Sequence, residues 1–301
     1  MEQVLVVGSV AFDSVQTPWG SCERVMGGSA VYFAYAASFF SPVALVGAVG
    51  EDWPDEFTQI LQQQPIDTSG LCRIPGKKTF MWRGKYKANL NERETLEVHL
   101  NVLGEFQPRL SPEQRRSRIA FLANGSPRTQ LAVLEQLDNP ALVVADTMDL
   151  WIREESDLLR ELLRRLDGVV LNDGEAKLLT QEENLVLAGQ RIRAMGPRFV
   201  VIKKGEHGAL YFSERDTIAL PAYPTARVVD PTGAGDSFAG GMLGYLASCE
   251  QLTSQEFRRA LVYGTLVASF VVEDFSLDRL RQIDRSTIDK RLETYRSMFQ
   301  F

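Results

Sequence analysis

Residues 228–241 read VVDPTGAGDSFAGG and connect a short apolar segment to a long apolar helical pattern. Gly233 and Gly235 leave backbone N–H groups uncovered at the point where the helix is predicted to begin. Exposed amides at a helix N-terminus attract anions, because the helix dipole stabilises negative charge there. The stretch therefore predicts an anion-binding loop at the start of a helix.

Asp236 lies in the first turn of the same predicted helix. A carboxylate beside an anion site suits phosphoryl transfer, since the loop can neutralise the moving phosphoryl group while the carboxylate accepts the proton of an attacking hydroxyl. An aspartate after a glycine is also a common helix N-cap. On this loop alone, catalysis and capping remain equally open.

Outward from this loop, short apolar runs alternate with amphipathic helical patterns. The runs are rich in Val, Leu and Ile, and they end in Gly, Asn, Asp or Pro, which is typical of buried strands. This alternation predicts a mostly parallel sheet covered by helices on both faces, with ligands at the carboxyl ends of the strands. The predicted strands are 4–7, 43–49, 119–123, 141–145, 168–171 and 199–202, and the predicted helices are 29–40, 54–64, 130–137, 155–166, 183–195, 235–248, 254–272 and 286–298.

Two polar segments interrupt the alternation, one near residues 14–24 and one near 79–101. The second contains two alternating strand patterns around Ala88-Asn89-Leu90-Asn91. Both are too polar for the central sheet, so we expect a small β lid over one edge; two surface hairpins are the alternative. No linker or repeat divides the chain, which predicts one domain over residues 1–301.

The composition excludes several functional classes. The 301 residues carry a net charge of −6 and are 45% hydrophobic, which is ordinary for a globular protein and gives no basic surface for nucleic acid or an anionic membrane. Three scattered cysteines and two histidines form no metal-ligand spacing and no disulfide framework. We find neither a leader pattern nor a membrane-spanning stretch, so a cytoplasmic protein is expected.

The stretch DPTGAGDSFAGG, residues 230–241, resembles the C-terminal signature of the ribokinase-like (PfkB) family of sugar and nucleoside kinases. The resemblance implies a ribokinase-like doubly wound α/β fold with a small β lid, and ATP as phosphoryl donor. It also implies that Gly233, Ala234 and Gly235 form the anion hole and that Asp236 is the catalytic base. In the family, the positions of Asp230 and Thr232 belong to a loop that often organises a monovalent cation such as K⁺.

Two N-terminal stretches extend the resemblance. Asp13 ends the stretch GSVAFD, where an aspartate of the family binds substrate hydroxyls; a turn-forming aspartate is the alternative. Gly27 and Gly28 resemble the double-glycine motif at which the backbone approaches the substrate. Family members often have a sugar-binding Asn just after it, whereas this chain has Tyr32, which can either stack on a ring or pack in the core.

The implied nucleotide site comes from three later stretches. Asn172 and Glu175 resemble the N-x-x-E motif, which orders hydrated Mg²⁺ and the phosphates; a helix cap is the alternative. Lys203 and Gly205 follow the next strand, where the family has a loop lining the nucleotide, although a solvated lysine fits as well. Residues 268–276 resemble the segment that closes the adenine pocket and supplies carbonyls to the cation, with Ser276 where many members have Gly.

Competing functions are weaker. Residues 235–239, GDSFA, nearly match a serine-hydrolase elbow, but both histidines precede this serine, which reverses the usual order in that fold. A non-catalytic relative predicts erosion of the base or the anion hole, and both are intact. Gly76-Lys77-Lys78-Thr79 lacks the first glycine of a phosphate-binding Walker loop.

The phosphoryl acceptor is a small molecule, and the sequence favours a sugar, with a nucleoside as the alternative. A nucleoside needs an apolar slot for its base, and four aromatic residues can line one or simply pack in the core and lid: Tyr32, Phe33, Phe80 and Trp82. Pairing of lid strands between two chains would bury an exposed sheet edge, so a homodimer through the lid is a further expectation.

Overall fold

The computed structural model describes residues 3–299, which form two compact units. The second unit is Gln107–Ala222, and the first combines the described residues on either side of it. The strands, in chain order, are β1 (Val4–Val7), β2 (Ala11–Thr17), β3 (Gly20–Gly27), β4 (Val43–Gly50), β5 (Ile66–Ile74), β6 (Phe80–Tyr86), β7 (Arg93–His99), β8 (Ile119–Leu122), β9 (Leu142–Asp146), β10 (Gly168–Asn172), β11 (Phe199–Lys203), β12 (Ala209–Ser213) and β13 (Thr217–Leu220).

The described residues also form eleven α-helices and three short 3₁₀ turns. No helix within residues 3–299 is both long enough and apolar enough to cross a membrane. The helices are α1 (Ser29–Ser38), α2 (Asp55–Gln62), α3 (Pro112–Arg115), α4 (Pro127–Leu134), α5 (Asp149–Glu154), α6 (Ser156–Leu163), α7 (Asp173–Thr180), α8 (Leu185–Ala194), α9 (Ala234–Ser248), α10 (Ser254–Val271) and α11 (Arg285–Ser297), and the 3₁₀ turns are Asn101–Gly104, Gly205–His207 and Leu280–Gln282.

The first unit contains parallel strands in the order β1-β4-β5. All residues of β1 and β4 are buried, as expected for central strands of a sheet covered on both faces. A separate four-stranded sheet has the order β3-β2-β6-β7, in which only the β2–β6 pair is parallel. This second sheet, which we call the lid sheet, contains both of the polar segments predicted as a lid.

The second unit has six strands in the order β13-β12-β11-β10-β9-β8. Strands β8 to β11 are parallel, and β12 and β13 extend them as an antiparallel edge. The apolar residues of β9, β10 and β11 are almost fully buried, and the polar residues Asp146, Asn172 and Lys203 end them. Three polar side chains therefore meet the same edge of this sheet, because parallel strands end on one side.

Helix α9, which starts at the predicted anion loop, packs closely against two neighbours. A Cβ at Gly244 would collide with the backbone of Ala37 in α1, and a Cβ at Gly264 in α10 would collide with the carbonyl of Phe238. Small residues at these crossings allow the helix backbones to approach. The start of α9 is thus fixed by packing on both sides.

The six predicted strands and eight predicted helices are all present, with ends that shift by up to three residues. The sequence did not predict β5 or the antiparallel pair β12–β13. In β5, exposed polar residues obscure the apolar pattern of a strand that pairs with β4. Asp13 follows the first strand, as expected, but it lies inside β2 and is buried. A turn-forming role for Asp13 is therefore wrong. The expectation of one domain over 1–301 stays a prediction.

Candidate active site

Gly233 is the N-cap of α9 and has a left-handed backbone, with φ of 76°. The amide of Ala234 donates to the carbonyl of Pro231 over 3.2 Å, which closes a tight turn, and the amide of Ser237 donates to the carbonyl of Gly233 over 2.8 Å. Amides in the first turn of a helix have no carbonyl partner inside the helix. The loop therefore directs the positive end of a fifteen-residue helix outward, as an anion site requires.

Asp236 lies in the first turn of α9 and is half-buried. Because its backbone is helical, its position relative to Gly233 is set by the same turn that exposes the amides. The carboxylate is thus held beside the amide cluster by an element that packing keeps in place. The N-cap of α9 is Gly233 and not Asp236, so the N-cap alternative for Asp236 is not the one observed.

Asp13 projects over the double glycine. A Cβ on Gly27 would overlap the carboxylate of Asp13, so this side chain requires a glycine at that position. Gly28 has φ of 98° and presses against the carbonyl of Ser9, which accepts the amide of Ala30 over 3.1 Å. The two glycines hold the backbone close to the carboxylate, and the amide of Gly28 donates to it.

The environment of Asp13 disfavours its charged form. The pKa of its carboxyl is raised to about 7. Burial is the main cause and the charges of Asp230 and Asp236 add to it, while the Gly28 amide and the Arg93 guanidinium lower the pKa. The Asp13 carboxyl therefore experiences the negative charges of Asp230 and Asp236 and the positive charge of Arg93. A buried carboxyl with a perturbed pKa among other ionisable groups is typical of functional sites.

Tyr32 packs in the interior of the first unit, with 2% of its surface exposed. A Cβ on Gly233 would overlap its ring, so the ring packs directly against the anion loop. Its hydroxyl has no hydrogen-bond partner among the described residues, and burial together with the charges of Asp13 and Asp230 raises its pKa well above the ordinary value. Of the two open readings of Tyr32, packing is the one observed.

Asp230 is 1% exposed and has one satisfied oxygen and one unsatisfied oxygen. Its Oδ1 accepts the amide of Thr232 over 2.9 Å, whereas Oδ2 is buried with no hydrogen-bond partner in the described chain. Burial raises the pKa of this carboxyl. An orphaned carboxylate oxygen costs free energy unless a proton or a cation compensates it, so a cation fits here.

The segment after α10 supports this loop from the other side. The carbonyl of Val272 accepts the amides of Val229 at 2.7 Å and Asp230 at 3.3 Å. Ser276 has a left-handed backbone with φ of 52°, and its hydroxyl donates to the carbonyl of Met26 over 2.5 Å. Glycine adopts a left-handed backbone without strain, which is the physical reason that it suits this position. Ser276 adopts the same conformation here.

In the second unit, Asn172 and Glu175 form a reciprocal capping box at the start of α7. The Asn172 side chain accepts the Glu175 amide, and the Glu175 carboxylate accepts the Asn172 amide, both over 2.8 Å. The capping reading is therefore observed, and a role towards hydrated Mg²⁺ stays a prediction. No group of three or more His, Cys, Asp or Glu side chains with metal-site geometry occurs in the described part of the chain.

Lys203 ends β11 directly beside Asn172 in the sheet register. Its ammonium lies 3.4 Å from the carboxylate of Asp146, and 17% of the lysine side chain is exposed. Lys203 is therefore not a freely solvated surface lysine. Gly205 begins the adjacent 3₁₀ turn with φ of 54°.

The sequence did not identify three charged or polar residues that belong to these sites. Asp146 is a buried carboxylate at the end of β9. The sequence signal that could have identified it is a single polar residue at the end of an apolar strand. Arg93 and Tyr86 lie on the lid strands, where isolated residues carry no motif. Phe33, by contrast, is fully buried in α1 and cannot line a substrate slot.

Comparison with known proteins relates this geometry to one family. The family model described as "pfkB family carbohydrate kinase" matches residues 1–281. A cytidine kinase of Thermococcus kodakarensis is 32% identical over 275 residues, which are 87% of this chain and 96% of that protein.

Solved structures show the same fold. A nucleoside kinase of Methanocaldococcus jannaschii superposes with a TM-score of 0.77 at 20% identity, covering 98% of this chain and 99% of that one. A Burkholderia thailandensis nucleoside kinase in complex with ADP-inosine gives a TM-score of 0.79 at 19% identity, covering 97% and 95%. The predicted ribokinase-like α/β fold with a small second sheet is confirmed.

Proposed function

Since the chain belongs to the pfkB family of carbohydrate kinases, we propose that it transfers the γ-phosphoryl group of ATP to a hydroxyl of a nucleoside. The observation that carries the acceptor class is the similarity to a cytidine kinase over nearly the full length of both proteins. This favours the nucleoside alternative over the sugar preferred from the sequence alone. That the chain is a phosphotransferase acting on an alcohol group follows from the family itself.

In this proposal, Asp236 is the general base. Its carboxylate takes the proton of the acceptor hydroxyl as that oxygen forms a bond to the γ-phosphorus and the bond from phosphorus to the oxygen of ADP breaks. The amides of Gly233 and Gly235 stabilise the charge on the transferred phosphoryl oxygens, since the Ala234 amide already donates to Pro231. The support is positional, because one helix start presents both the amides and the carboxylate.

Asp13 binds the acceptor by accepting hydrogen bonds from its hydroxyl groups. A ribose offers two neighbouring hydroxyls, and a carboxylate has enough lone pairs to accept both. Burial strengthens these bonds because the local dielectric is low. Gly27 and Gly28 permit the close approach, since neither places a side chain between the backbone and the acceptor.

We assign ATP binding in the second unit to Asn172, Glu175, Lys203 and Gly205. The ammonium of Lys203 suits a phosphate as a point charge, and Asp146 orients it beforehand. The chemistry of Asn172 and Glu175 fits a hydrated Mg²⁺, which keeps most of its waters and takes few protein ligands. When bound with ATP, Mg²⁺ neutralises phosphate charge.

The loop at Asp230 fits a monovalent cation such as K⁺. The unsatisfied Oδ2 of Asp230 is the supporting observation, and Thr232 lies on the same loop. Neutralising this buried carboxylate would hold the anion loop in one conformation. The corresponding expectation is a higher rate of ADP release in potassium chloride than in choline chloride at equal ionic strength.

The lid sheet also fits the expected homodimer. Strand β7 is an edge strand exposed along its whole length, and Leu96, Val98 and Leu100 are each about half exposed. An exposed apolar edge strand is a template for pairing with a second chain. Light scattering should give the mass of two chains, and Val98→Lys should shift it to that of one.

The acceptor proposal is tested with a panel of compounds. Cytidine, uridine, adenosine and inosine are compared with ribose and fructose for ADP release from MgATP, and the phosphorylated product is identified by mass spectrometry. We expect turnover with at least one nucleoside at a kcat/KM more than tenfold above that of any free sugar. Turnover of the sugars alone would overturn the nucleoside proposal and restore the sugar prediction.

A further inference from the structure

The register of the lid sheet places several functional side chains on one face. Trp82 lies directly opposite Asp13 on β2 and opposite Val98 on β7, and Tyr86 lies opposite Arg93. Residues directly opposite in a sheet share a face, and so do residues two apart along a strand. Asp13, Trp82, Tyr86 and Arg93 therefore project from the same side of the lid sheet.

The indole of Trp82 lies flat on this face. A Cβ on Gly84 would overlap the six-membered ring of Trp82, so the ring crosses the strand directly above Gly84. The indole N–H donates to the hydroxyl of Thr95 over 3.2 Å, which fixes the rotation of the ring. Trp82 is neither buried nor fully exposed. The result is a flat aromatic surface that is held in place directly opposite Asp13.

Arg93 lies over this surface. Its guanidinium is 5.7 Å from the centre of the Trp82 ring, and its charge acts on the Tyr86 hydroxyl and on Asp13. Tyr86 in turn accepts a hydrogen bond from Thr232 of the anion loop, over 3.3 Å. The aromatic surface and its guanidinium are therefore connected to both the acceptor-binding carboxylate and the loop assigned to the phosphoryl group.

We propose that Trp82, supported by Gly84, is the stacking surface for the heteroaromatic base of the acceptor nucleoside, and that Arg93 selects the base. This inference rests on the proposed nucleoside kinase activity. Bases stack on aromatic side chains whatever their sequence identity, because each has a π face. A free monosaccharide bound by Asp13 has no aromatic base to stack on Trp82.

The donor pattern of arginine indicates which bases it selects. A guanidinium has only N–H donors, in a planar fork, and it pairs best with two adjacent acceptor atoms. Cytosine presents such a pair at O2 and N3, whereas uracil presents an acceptor at O2 and a donor at N3. Arg93 therefore favours cytidine over uridine.

The test compares steady-state kinetics of three variants with cytidine and uridine. Arg93→Gln keeps a hydrogen-bonding side chain but removes the fork; a bidentate pair is typically worth enough that KM for cytidine should rise about tenfold, with the cytidine preference lost. Trp82→Leu should raise KM for both nucleosides by about tenfold through lost stacking. In both variants kcat should stay within about threefold of wild type, because the reacting groups are untouched.

Lys85→Gln is the matched control, because Lys85 lies on β6 between Gly84 and Tyr86 and projects from the opposite face. It should leave both KM values unchanged. Arg93 is exposed, so its variant tests the proposal even where Trp82→Leu lowers stability. Unchanged KM values in Arg93→Gln would overturn the selecting role, and unchanged values in Trp82→Leu would overturn the stacking surface. A wild-type enzyme that phosphorylates no nucleoside would instead refute the proposed function, and the base site with it.

Discussion

Gly233 combines two requirements that only glycine meets. Its φ of 76° is unfavourable for other residues, and a Cβ would collide with the Tyr32 ring, which is buried and has no room to move. The collision would displace either the ring or the start of α9. The anion loop therefore cannot keep its conformation if residue 233 carries even a methyl side chain.

Gly233→Ala should lower kcat by at least about tenfold, because a displaced amide loses the hydrogen bond to the transferred phosphoryl group. Gly76→Ala is the matched control: Gly76 also has a left-handed backbone, with φ of 70°, but nothing lies within 4 Å of its added Cβ. Both variants bear the backbone strain, and only Gly233→Ala bears the collision. Equal effects on kcat would show that the loop geometry is unimportant for transfer.

Asp13 links the site to the pH dependence of stability. Its pKa is raised by burial to about 7 in the folded protein, whereas the ordinary value is 3.8. The folded state thus retains a proton that the unfolded state loses, so the stabilisation is complete below the ordinary value and is lost as the pH rises through about 7.

Asp13→Asn removes this titration and should stabilise the protein at pH 8 by up to roughly 4 kcal/mol, with little change at pH 4. Urea unfolding of wild type and variant at the two pH values gives the difference directly. Acceptor binding should weaken in the variant at pH 8, where an amide replaces a carboxylate. A stability difference that is the same at pH 4 and pH 8 would rule out a raised pKa at Asp13.

At the scale of elements, the ends of β9, β10 and β11 bring Asp146, Asn172 and Lys203 to one edge of the second unit. Such edges bind ligands because side chains and helix N-termini converge there. The contact between Lys203 and Asp146 restrains the lysine ammonium, which lowers the entropy lost when it binds a phosphate.

Lys203→Met should raise KM for ATP by about tenfold, since a hydrogen bond to a charged group typically contributes about 1.5–3 kcal/mol. KM for the acceptor should not change. The neighbouring Lys204→Met is the control for a lost surface charge, and thermal denaturation shows whether Asp146, left without this partner, destabilises the fold. An unchanged KM for ATP would remove Lys203 from the nucleotide site.

The sequence predicted the buried strands because they are unbroken apolar runs, and β1 was predicted to the residue. It did not predict β5, in which polar residues such as Asp67 and Arg73 obscure the pattern of a strand that pairs on one side. Asp146 and Arg93 were missed for a related reason. A single charged residue becomes part of a site only through its neighbours in space, and spacing along the chain does not reveal them.

At the scale of the whole molecule, the protein must bind a highly charged anion although its net charge is −6. General attraction cannot supply the affinity, so it has to come from local groups such as the amides at the start of α9 and the metal bound with ATP. Carboxylates surround the proposed acceptor site, where Asp13, Asp230 and Asp236 raise the local negative potential. Such a site disfavours an anionic acceptor and accepts a neutral one.

If Asp236 removes the proton of the acceptor hydroxyl, its replacement by asparagine should slow turnover, and kcat of Asp236→Asn measures that loss. Asparagine has nearly the same size as aspartate, and Asp236 is not the N-cap of α9, so the fold should persist. Asp157→Asn, in the first turn of α6, is the control for a lost charge at a helix start. With saturating ATP and acceptor, we expect Asp236→Asn to lose about 10²–10⁴-fold in kcat while the control keeps wild-type activity. An Asp236→Asn variant that retains more than about a tenth of wild-type kcat would show that Asp236 is not the general base.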